Sequence, residues 1–261
     1  MSKRKYNPGK TNGSRKKPKS TFKEYYKYPI GPRLPLGFNA RTGGYVGKEL
    51  KSYDTQSGIS SSLETSWTVR NPQTPANSAI TSPDQGNNFW QREGNMITVK
   101  SIHIRGQFYI KHGTIATATN FPDGMRAVIA IVHDKQTNQA VIDPDDVYQG
   151  VNSIAAPYLM DEWRNMQYTS RFKVLAYKEV CFDQIVPEWD STAGNFRVAG
   201  QVRPFEINLK KLDMPVQFSG TSGVIGSVTN NSIQVIACAN YKDGGVGEVK
   251  MQYKARCRFY G

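Results

Sequence analysis

Residues Asn95 to Lys111 (NMITVKSIHIRGQFYIK) alternate apolar and polar side chains, which is typical of a long β-strand with one buried face. The alternation changes frame once. The apolar residues of the first frame are Ile97 and Val99, and those of the second are Ile102, Ile104, Phe108 and Ile110. Because a slip of one residue turns every later side chain to the opposite face, a β-bulge near Lys100–Ser101 is needed to restore the register. The stretch therefore predicts a long, bent, antiparallel strand, and Gly106 offers a second place to bend.

The rest of the chain contains further short stretches with strand character. The predicted strands are Val46–Asp54, Leu63–Val69, Met125–Asp134, Arg171–Phe182, Pro204–Leu212, Pro215–Phe218, Ser232–Tyr241 and Glu248–Tyr260. Met125–Asp134 is apolar on both faces, which indicates a central strand. Residues 70–94 are rich in Pro, Asn and Ser and read as a long loop, and two short helical turns are expected at Asp143–Gly150 and Asp161–Met166. Such a series, with no sustained helical period, predicts an antiparallel sandwich or barrel.

Length and composition limit the remaining possibilities. A chain of 261 residues suffices for one large all-β domain or two small ones. Its three cysteines form no Cys-x-x-Cys pair, so we expect buried or half-buried reduced thiols rather than disulfides or a zinc site. No apolar run approaches the roughly 18 residues of a membrane span, and the charged N-terminus lacks the apolar region of a secretory signal. The prediction is a soluble protein made inside the cell, without a membrane partner.

The positive charge is concentrated at the N-terminus. Residues 1–33 contain 11 basic residues and one acid, so they carry +10 of the formal net charge of +13. The cationic residues of this arm that we predict to bind nucleic acid are Lys3, Arg4, Lys5, Lys10, Arg15, Lys16, Lys17, Lys19, Lys23 and Lys27. The arm has almost no aliphatic side chains to bury, so we expect it to be disordered by itself and to bind a polyanion.

The arm carries two further patterns. Arg15-Lys16-Lys17-Pro18-Lys19 matches a short nuclear-import signal, which Lys3 and Arg4 would make bipartite. A solvated, polyanion-binding tail explains the same residues, and the two interpretations are compatible. Four aromatic residues, Phe22, Tyr25, Tyr26 and Tyr28, lie among the last lysines. They suit base stacking, although packing against the body or a neighbouring subunit is an alternative.

Pro and Gly residues in 29–44 indicate a linker, so the predicted organisation is an arm and linker at 1–44 and a folded domain at 45–261. In that domain, the strand Glu248–Tyr260 places cationic side chains on its polar face. These are Lys250, Lys254, Arg256 and Arg258. They either meet nucleic acid or pair with acids of an adjacent strand or subunit, and the sequence leaves both interpretations open.

Constellations typical of enzymes are missing from the sequence. Gly9-Lys10-Thr11 lacks the first glycine of a phosphate-binding loop, and there is no Gly-x-Ser-x-Gly motif. His103 and His133 lie on predicted strands and are interpreted as packing or hydrogen-bonding residues. The acids Asp143, Asp145 and Asp146 suit either a bound cation or the start of a helix, and the latter is the simpler interpretation. We predict no catalytic residue, no metal site and no cofactor.

Four segments together resemble a known family. They are Val99–Gly106 (VKSIHIRG), Ala127–Asp134 (AVIAIVHD), Phe172–Leu175 (FKVL) and Val249–Arg256 (VKMQYKAR). In order and spacing they are similar to segments in capsid proteins of small circular single-stranded DNA (CRESS-DNA) viruses, geminivirus coat proteins and their relatives in particular. The resemblance covers about residues 45 to 261. The cysteine-and-histidine cluster proposed for some plant geminivirus coat proteins has no counterpart here, which argues against a typical plant geminivirus.

The resemblance implies an all-β fold, an eight-stranded antiparallel jelly roll (β-sandwich) with a disordered basic arm. It implies a homo-oligomer of many copies, in an icosahedral or twinned icosahedral shell that packages circular single-stranded DNA. The expected locations are the virion and the host nucleus, the latter reached by binding a host importin. The alternative is a non-assembling single-stranded-DNA-binding nuclear shuttle or movement protein. Neither function is enzymatic.

Overall fold

The computed structural model describes residues 38–39, 44–45, 49–57, 62–73, 79–115, 124–148, 163–242 and 247–261. The chain divides into two compact units, Met1–Gly47 and Lys48–Gly261. In the first unit the described backbone forms a two-stranded antiparallel sheet of β1 (Phe38–Asn39) and β2 (Gly44–Tyr45).

The regular secondary structure described in the second unit consists almost entirely of β-strands. In chain order they are β3 (Leu50–Gln56), β4 (Thr68–Val69), β5 (Met96–Ile110), β6 (Gly113–Ile115), β7 (Arg126–Asp134), β8 (Phe172–Cys181), β9 (Glu188–Asp190), β10 (Asn195–Val198), β11 (Gln201–Phe218), β12 (Val228–Asn230), β13 (Ser232–Ala239) and β14 (Val249–Tyr260). One α-helical turn, α1, spans Pro144–Val147, and 3-10 turns lie at Met166–Tyr168 and Ile225–Ser227.

Two antiparallel sheets form the body of this unit. One has the order β12-β11-β5-β14-β3, and the other has the order β4-β13-β7-β8. Eight strands remain when the short strands β6, β9, β10 and β12 are set aside. Taken in chain order, they pair from the outside inward: β3 with β14, β4 with β13, β5 with β11, and β7 with β8. This nested pairing across two sheets is the topology of a jelly roll, so the predicted eight-stranded β-sandwich is confirmed.

The hydrophobic core lies between the two sheets. Ile104 and Phe108 from β5 and Ala255 and Cys257 from β14 share one buried cluster with Ile129 and other residues of the four-stranded sheet. Because alternate residues of a strand point to opposite faces, β5 and β14 each place every second side chain in this core. The opposite face of the five-stranded sheet is consequently left for polar residues.

The predicted bulge in β5 is confirmed. Arg258 of β14 lies opposite Ser101, but the next residue, Phe259, lies opposite Val99. Lys100 is therefore the extra residue. It lets the apolar residues on both sides of it face the core, as the buried positions of the strand show.

The neighbouring strand β11 is irregular at the same place. Lys210 pairs with Ser101 and Met214 with Val99, so three residues of β11 lie opposite Lys100. Two of the three, Lys211 and Asp213, have positive φ angles of 57° and 45°. The sequence predicted two strands here, whereas the structure has one long strand with a wide irregularity, because β5 holds both halves in place.

Gly106 marks a close approach in the core. A Cβ atom added there would lie 2.5 Å from Cζ of Phe205 and 2.6 Å from the carbonyl oxygen of Gln252. Any side chain at this inward position would therefore collide with a core ring and with the backbone of β14.

Several predicted boundaries were wrong. The segment predicted as strand from Leu63 to Val69 contains only the two residues of β4, because Leu63 packs in the core between the sheets while Trp67 packs on the outer side of the four-stranded sheet. Glu248, expected on the exposed polar face, precedes β14 and is buried. The sheet of order β6-β10-β9 was not predicted, since strands of three or four residues are too short to show a periodicity.

The outer face of the four-stranded sheet is covered by a second apolar cluster. It contains Trp67, Val128, Ala130, Val132, Ile142, Val147, Tyr148, Phe172, Ile236 and Cys238. The connection after β7 supplies part of this cover, and its Tyr148 stacks on Trp67 with ring centroids 4.4 Å apart. The strands β7 and β13 are therefore buried on both faces, as the continuous apolar sequence of β7 predicted.

Candidate nucleic-acid interface

The cationic residues of the predicted arm and import signal lie outside the described residues. They are Lys3, Arg4, Lys5, Lys10, Arg15, Lys16, Lys17, Lys19, Lys23 and Lys27. Their assignment to DNA binding, and that of six of them to nuclear import, stays a prediction. The structure instead describes the second predicted set, on β14.

Strand β14 presents its cations on the outer face of the five-stranded sheet. Lys254, Arg256 and Arg258 are exposed, and Lys250 is partly exposed. They form a row. Outward positions repeat about every 7 Å along the strand, and the cations occupy all of them from Lys250 to Arg258 except that of Gln252. The strand lies between β3 and β5, in the interior of the sheet, and its row is flanked by polar side chains on both sides.

One cation of the row forms an ion pair within the sheet. Arg256 donates two hydrogen bonds to Asp54 on β3, Nε to Oδ1 at 2.7 Å and Nη2 to Oδ2 at 2.6 Å. The hydrogen bonds from Arg256 lower the pKa of the Asp54 carboxyl, against the opposing effect of its partial burial. For Arg256, the interpretation that the cations of β14 pair with acids of an adjacent strand is therefore correct. In the described part of the chain, Lys250, Lys254 and Arg258 have no acidic partner.

Neighbouring strands add cations that the sequence analysis did not assign to this surface. Arg105 on β5 lies directly opposite Lys254, and Lys210 on β11 lies opposite Ser101, in line with Arg258. Lys100, the bulge residue, extends over the ring of Tyr260 at 5.1 Å and pairs with Asp213. The polar positions of β5 and β11 were the sequence signal for these cations, but the pairing of strands was needed to place them beside β14.

We call this surface the basic sheet face. Its cations are Lys100, Arg105, Lys210, Lys250, Lys254, Arg256 and Arg258, and its carboxylates are Asp54, Glu206 and Asp213. Seven cations against three carboxylates leave four net positive charges on one side of one sheet. A field of one sign over an open surface attracts a polyanion without selecting its sequence.

Glu206 is the acidic centre of this face. Its Oε1 lies 2.6 Å from Nε2 of His103 and 3.3 Å from Nη2 of Arg105. The hydrogen bond with His103 and then the interactions with Arg105 lower the pKa of Glu206. His133, on β7, is hydrogen-bonded to Asn231 at 2.9 Å, and burial lowers its pKa. The prediction that both histidines are hydrogen-bonding residues on strands is therefore confirmed.

A shallow cavity of about 440 Å³ lies on the basic sheet face. Its wall includes His103, Arg105, Lys254 and Arg256, together with Asp54 and Gln56. Guanidinium groups bind phosphate oxygens through directed hydrogen bonds, and ammonium groups act as compact charges. The arrangement suits phosphate groups of a flexible strand.

The described residues contain no cluster of three or more His, Cys, Asp or Glu side chains that suits a metal ion. Asp143 instead caps α1, since its carboxylate accepts a hydrogen bond from the backbone N–H of Asp145 at 3.1 Å, which supports the helix-start interpretation. Cys238 and Cys257 are buried, but Cys181 at the end of β8 is exposed, contrary to expectation. None of the helices in the described segments has the length and apolarity to cross a membrane.

Comparison of the sequence and fold with known proteins identifies no family for this chain. No protein-family model matches the sequence, and no curated protein shows significant similarity to it. Among solved structures, one matching chain is from Desmodium yellow mottle tymovirus. The match covers 90% of this chain and 95% of that one, with 11% identity and a TM-score of 0.30. A likeness this weak carries no argument, so the jelly roll is assigned here from its strand pairing.

Proposed function

We propose that this protein is a viral capsid protein that assembles into a closed shell and packages circular single-stranded DNA. The observation that carries the proposal is the combination of a jelly-roll body with two cationic regions, the basic sheet face and the +10 sequence of residues 1–33. A packaging protein meets every part of its genome and therefore needs binding that tolerates any sequence. Lysine and arginine contacts to phosphate provide it.

The arm and the face have different roles in this proposal. The arm supplies most of the positive charge and binds along the DNA. The basic sheet face determines where the DNA strand contacts the folded body. If roughly ten phosphates are neutralised by each arm, the logarithm of the affinity falls with the logarithm of salt concentration with a slope of about −7 for a single strand. The import-like residues of the arm bring the protein to the host nucleus before assembly.

Sedimentation and negative-stain imaging of the purified full-length protein, with and without circular single-stranded DNA, test the proposal. We expect closed shells that protect the DNA from nuclease. Small soluble species under all ionic conditions would contradict the capsid function. If such species still bound DNA and entered nuclei, the non-assembling shuttle or movement protein would be the correct alternative.

Removal of residues 1–33 tests the role of the arm. We expect the truncated protein to fold and to lose DNA packaging and most of the salt dependence of binding. Packaging by the truncated protein with an unchanged salt slope would contradict this role. Fusion of residues 1–20 to a large reporter tests nuclear import, and a matched fusion in which Arg15, Lys16 and Lys17 are replaced by Gln is the control.

A further inference from the structure

Two adjacent aromatic residues are exposed at the tip of the loop that precedes β5. Phe89 is 51% exposed and Trp90 is 54% exposed. Single exposed apolar side chains are common, whereas adjoining ones are more informative about a contact with a partner. The surroundings of Phe89 indicate the chemistry of that partner.

The loop is held firmly in place. Arg92 is fully buried, and its guanidinium donates hydrogen bonds to the carbonyl oxygens of Pro83 at 3.2 Å, Gly94 at 2.5 Å and Gly220. Its Cζ atom lies 4.2 Å from the centroid of the Phe218 ring. A buried cation with these partners anchors the base of the loop. Phe89 is therefore exposed on a loop whose base is held in place.

The tip itself is closed by a tight turn. The backbone N–H of Gln91 donates to the carbonyl of Asn88 at 2.9 Å, and the Gln91 side chain accepts from the N–H of Asn88 at 3.1 Å. Lys51 on β3 donates to the carbonyl of Gln91 at 3.2 Å and pairs with Glu93 at 2.7 Å. The turn therefore holds the backbone at Phe89 next to β3.

Phe89 lines a cavity of about 200 Å³ at the end of the basic sheet face. The other lining residues are Leu50, Lys51, Ser52, Arg256 and Arg258. The charge of Lys51 is engaged by Glu93 and that of Arg256 by Asp54. Arg258 has no acidic partner in the described segments, so its guanidinium is available to an incoming anion. The cavity thus combines an exposed ring with an available cation.

We propose that this cavity is a nucleotide subsite for single-stranded DNA, with a base stacked on Phe89 and the adjoining phosphate bound by Arg258. The inference rests on the proposed DNA-packaging function and specifies how the body takes part in it. From this subsite the row Arg258, Arg256 and Lys254 continues along β14 with its repeat of about 7 Å, so an extended strand can follow it. Single-strand binding sites typically combine a row of cations for the phosphates with aromatic rings for the bases.

A second copy of the chain is a less suitable occupant. The residues that line the cavity include three cations, Lys51, Arg256 and Arg258, and no acid. A basic partner would be repelled there, whereas a polyanion is attracted. Duplex DNA suits the cavity poorly too, because its bases are already stacked on each other.

Binding of the full-length protein to three probes tests the subsite. The probes are an oligodeoxyadenylate, an abasic oligomer of the same length and a duplex, each measured by fluorescence anisotropy over a range of salt concentrations. We expect Phe89→Ala to weaken binding of the oligodeoxyadenylate by about 5-fold to 150-fold, the range for the loss of one stacked base. Affinity for the abasic oligomer and the duplex should stay unchanged, and so should the salt slope.

Arg258→Gln should act differently. It removes one phosphate contact, so it should reduce the magnitude of the salt slope by about 0.7 for both single-stranded probes. Trp189→Ala, which removes an exposed ring from β9, and Lys178→Gln, which removes an exposed cation from β8, are the matched controls. Because both variants keep Phe89, neither should change the difference in affinity that the wild type shows between the base-bearing and the abasic oligomer.

The outcomes separate the subsite from the capsid function. Equal effects of Phe89→Ala on the base-bearing and abasic oligomers, or no effect, would overturn the subsite. Loss of assembly by Phe89→Ala with unchanged DNA affinity would overturn it in favour of a subunit contact. If the wild type forms no shells but its preference for the base-bearing over the abasic oligomer depends on Phe89, the subsite stands and the capsid function fails.

Discussion

The outer faces of the two sheets differ in how they are used. On the four-stranded sheet, Val128, Ile236 and other apolar side chains lie under Trp67, Tyr148 and the connection that follows β7. On the five-stranded sheet, most of the corresponding positions carry polar or charged side chains, with Lys and Arg prominent among them. Both sheets share one core, so the difference lies entirely in what each sheet presents on its other side.

We therefore expect the covered face to matter for stability and the basic sheet face to matter for binding. Burial of apolar surface on both faces makes β7 and β13 the stable interior of the domain. The basic sheet face contributes little to folding, since its ion pairs are exposed and exposed ion pairs are weak. Substitutions there should change binding and leave the fold intact, whereas substitutions on the covered face should do the reverse.

The largest expected effect comes from exchanging inner and outer faces in β5. Deletion of Arg105 shifts the frame of the residues before it and turns Ile102 and Ile104 away from the core. The loss of two buried side chains of this size costs about 3–6 kcal/mol of unfolding free energy, a large part of the stability of a typical domain. Denaturant unfolding and circular dichroism of the variant measure it.

Deletion of Lys100 is the matched control for this prediction. Lys100 is the extra residue of the bulge, so its removal leaves every apolar residue of β5 in its present frame. This variant should remain folded. If both deletions destabilised the protein equally, the frame argument would be wrong.

The next effect concerns the two outer faces directly. Ile236→Ala on the covered face should lower the unfolding free energy by about 2–5 kcal/mol, because it leaves a cavity among buried side chains. Lys254→Ala on the basic sheet face should change it by less than about 0.5 kcal/mol. Denaturant titrations of unassembled protein compare the two. A similar loss for both variants would show that the basic sheet face is also needed for folding.

A triple substitution tests the function of the basic sheet face. Replacement of Lys250, Lys254 and Arg258 by Gln removes three cations that have no acidic partner in the described part of the chain. We expect weaker binding of single-stranded DNA and a salt slope smaller in magnitude by about 2, at about 0.7 for each lost phosphate contact. The midpoint of unfolding should not move. An unchanged salt slope would assign DNA binding to the arm alone.

The smallest effect concerns the pair Arg256–Asp54. Asp54→Asn frees Arg256 for phosphate, so affinity for single-stranded DNA should rise and the salt slope should steepen by about 0.7. The lowered pKa of Asp54 means that the ion pair stabilises the fold above the carboxyl's ordinary pKa, and that this contribution disappears as the pH falls through the lowered value. The small stability difference between the wild type and Asp54→Asn should disappear over the same pH range. A difference that persisted in acid would have another cause.

The sequence predicted several of these features, each from a local pattern. The frame change from Val99 to Ile102 predicted the bulge at Lys100, and the alternation of β14 predicted its exposed cations. The limits of β4 and the continuity of β11 were missed because both depend on contacts with distant strands. Phe89 was missed as well, since residues 70–94 have no periodicity and nothing local shows that the buried Arg92 fixes the loop.

Periodicity and charge are properties of neighbouring residues, so the sequence was enough to predict an all-β chain with a bulged strand and a cationic arm. The jelly-roll pairing of β3 with β14 and of β5 with β11 joins residues that are far apart in the chain. That pairing sets Arg105 and Lys210 beside the row on β14 and, through the loop before β5, sets Phe89 beside Arg258. Such a surface arises only when distant strands meet, because hydrogen bonding between strands determines which side chains become neighbours across a sheet.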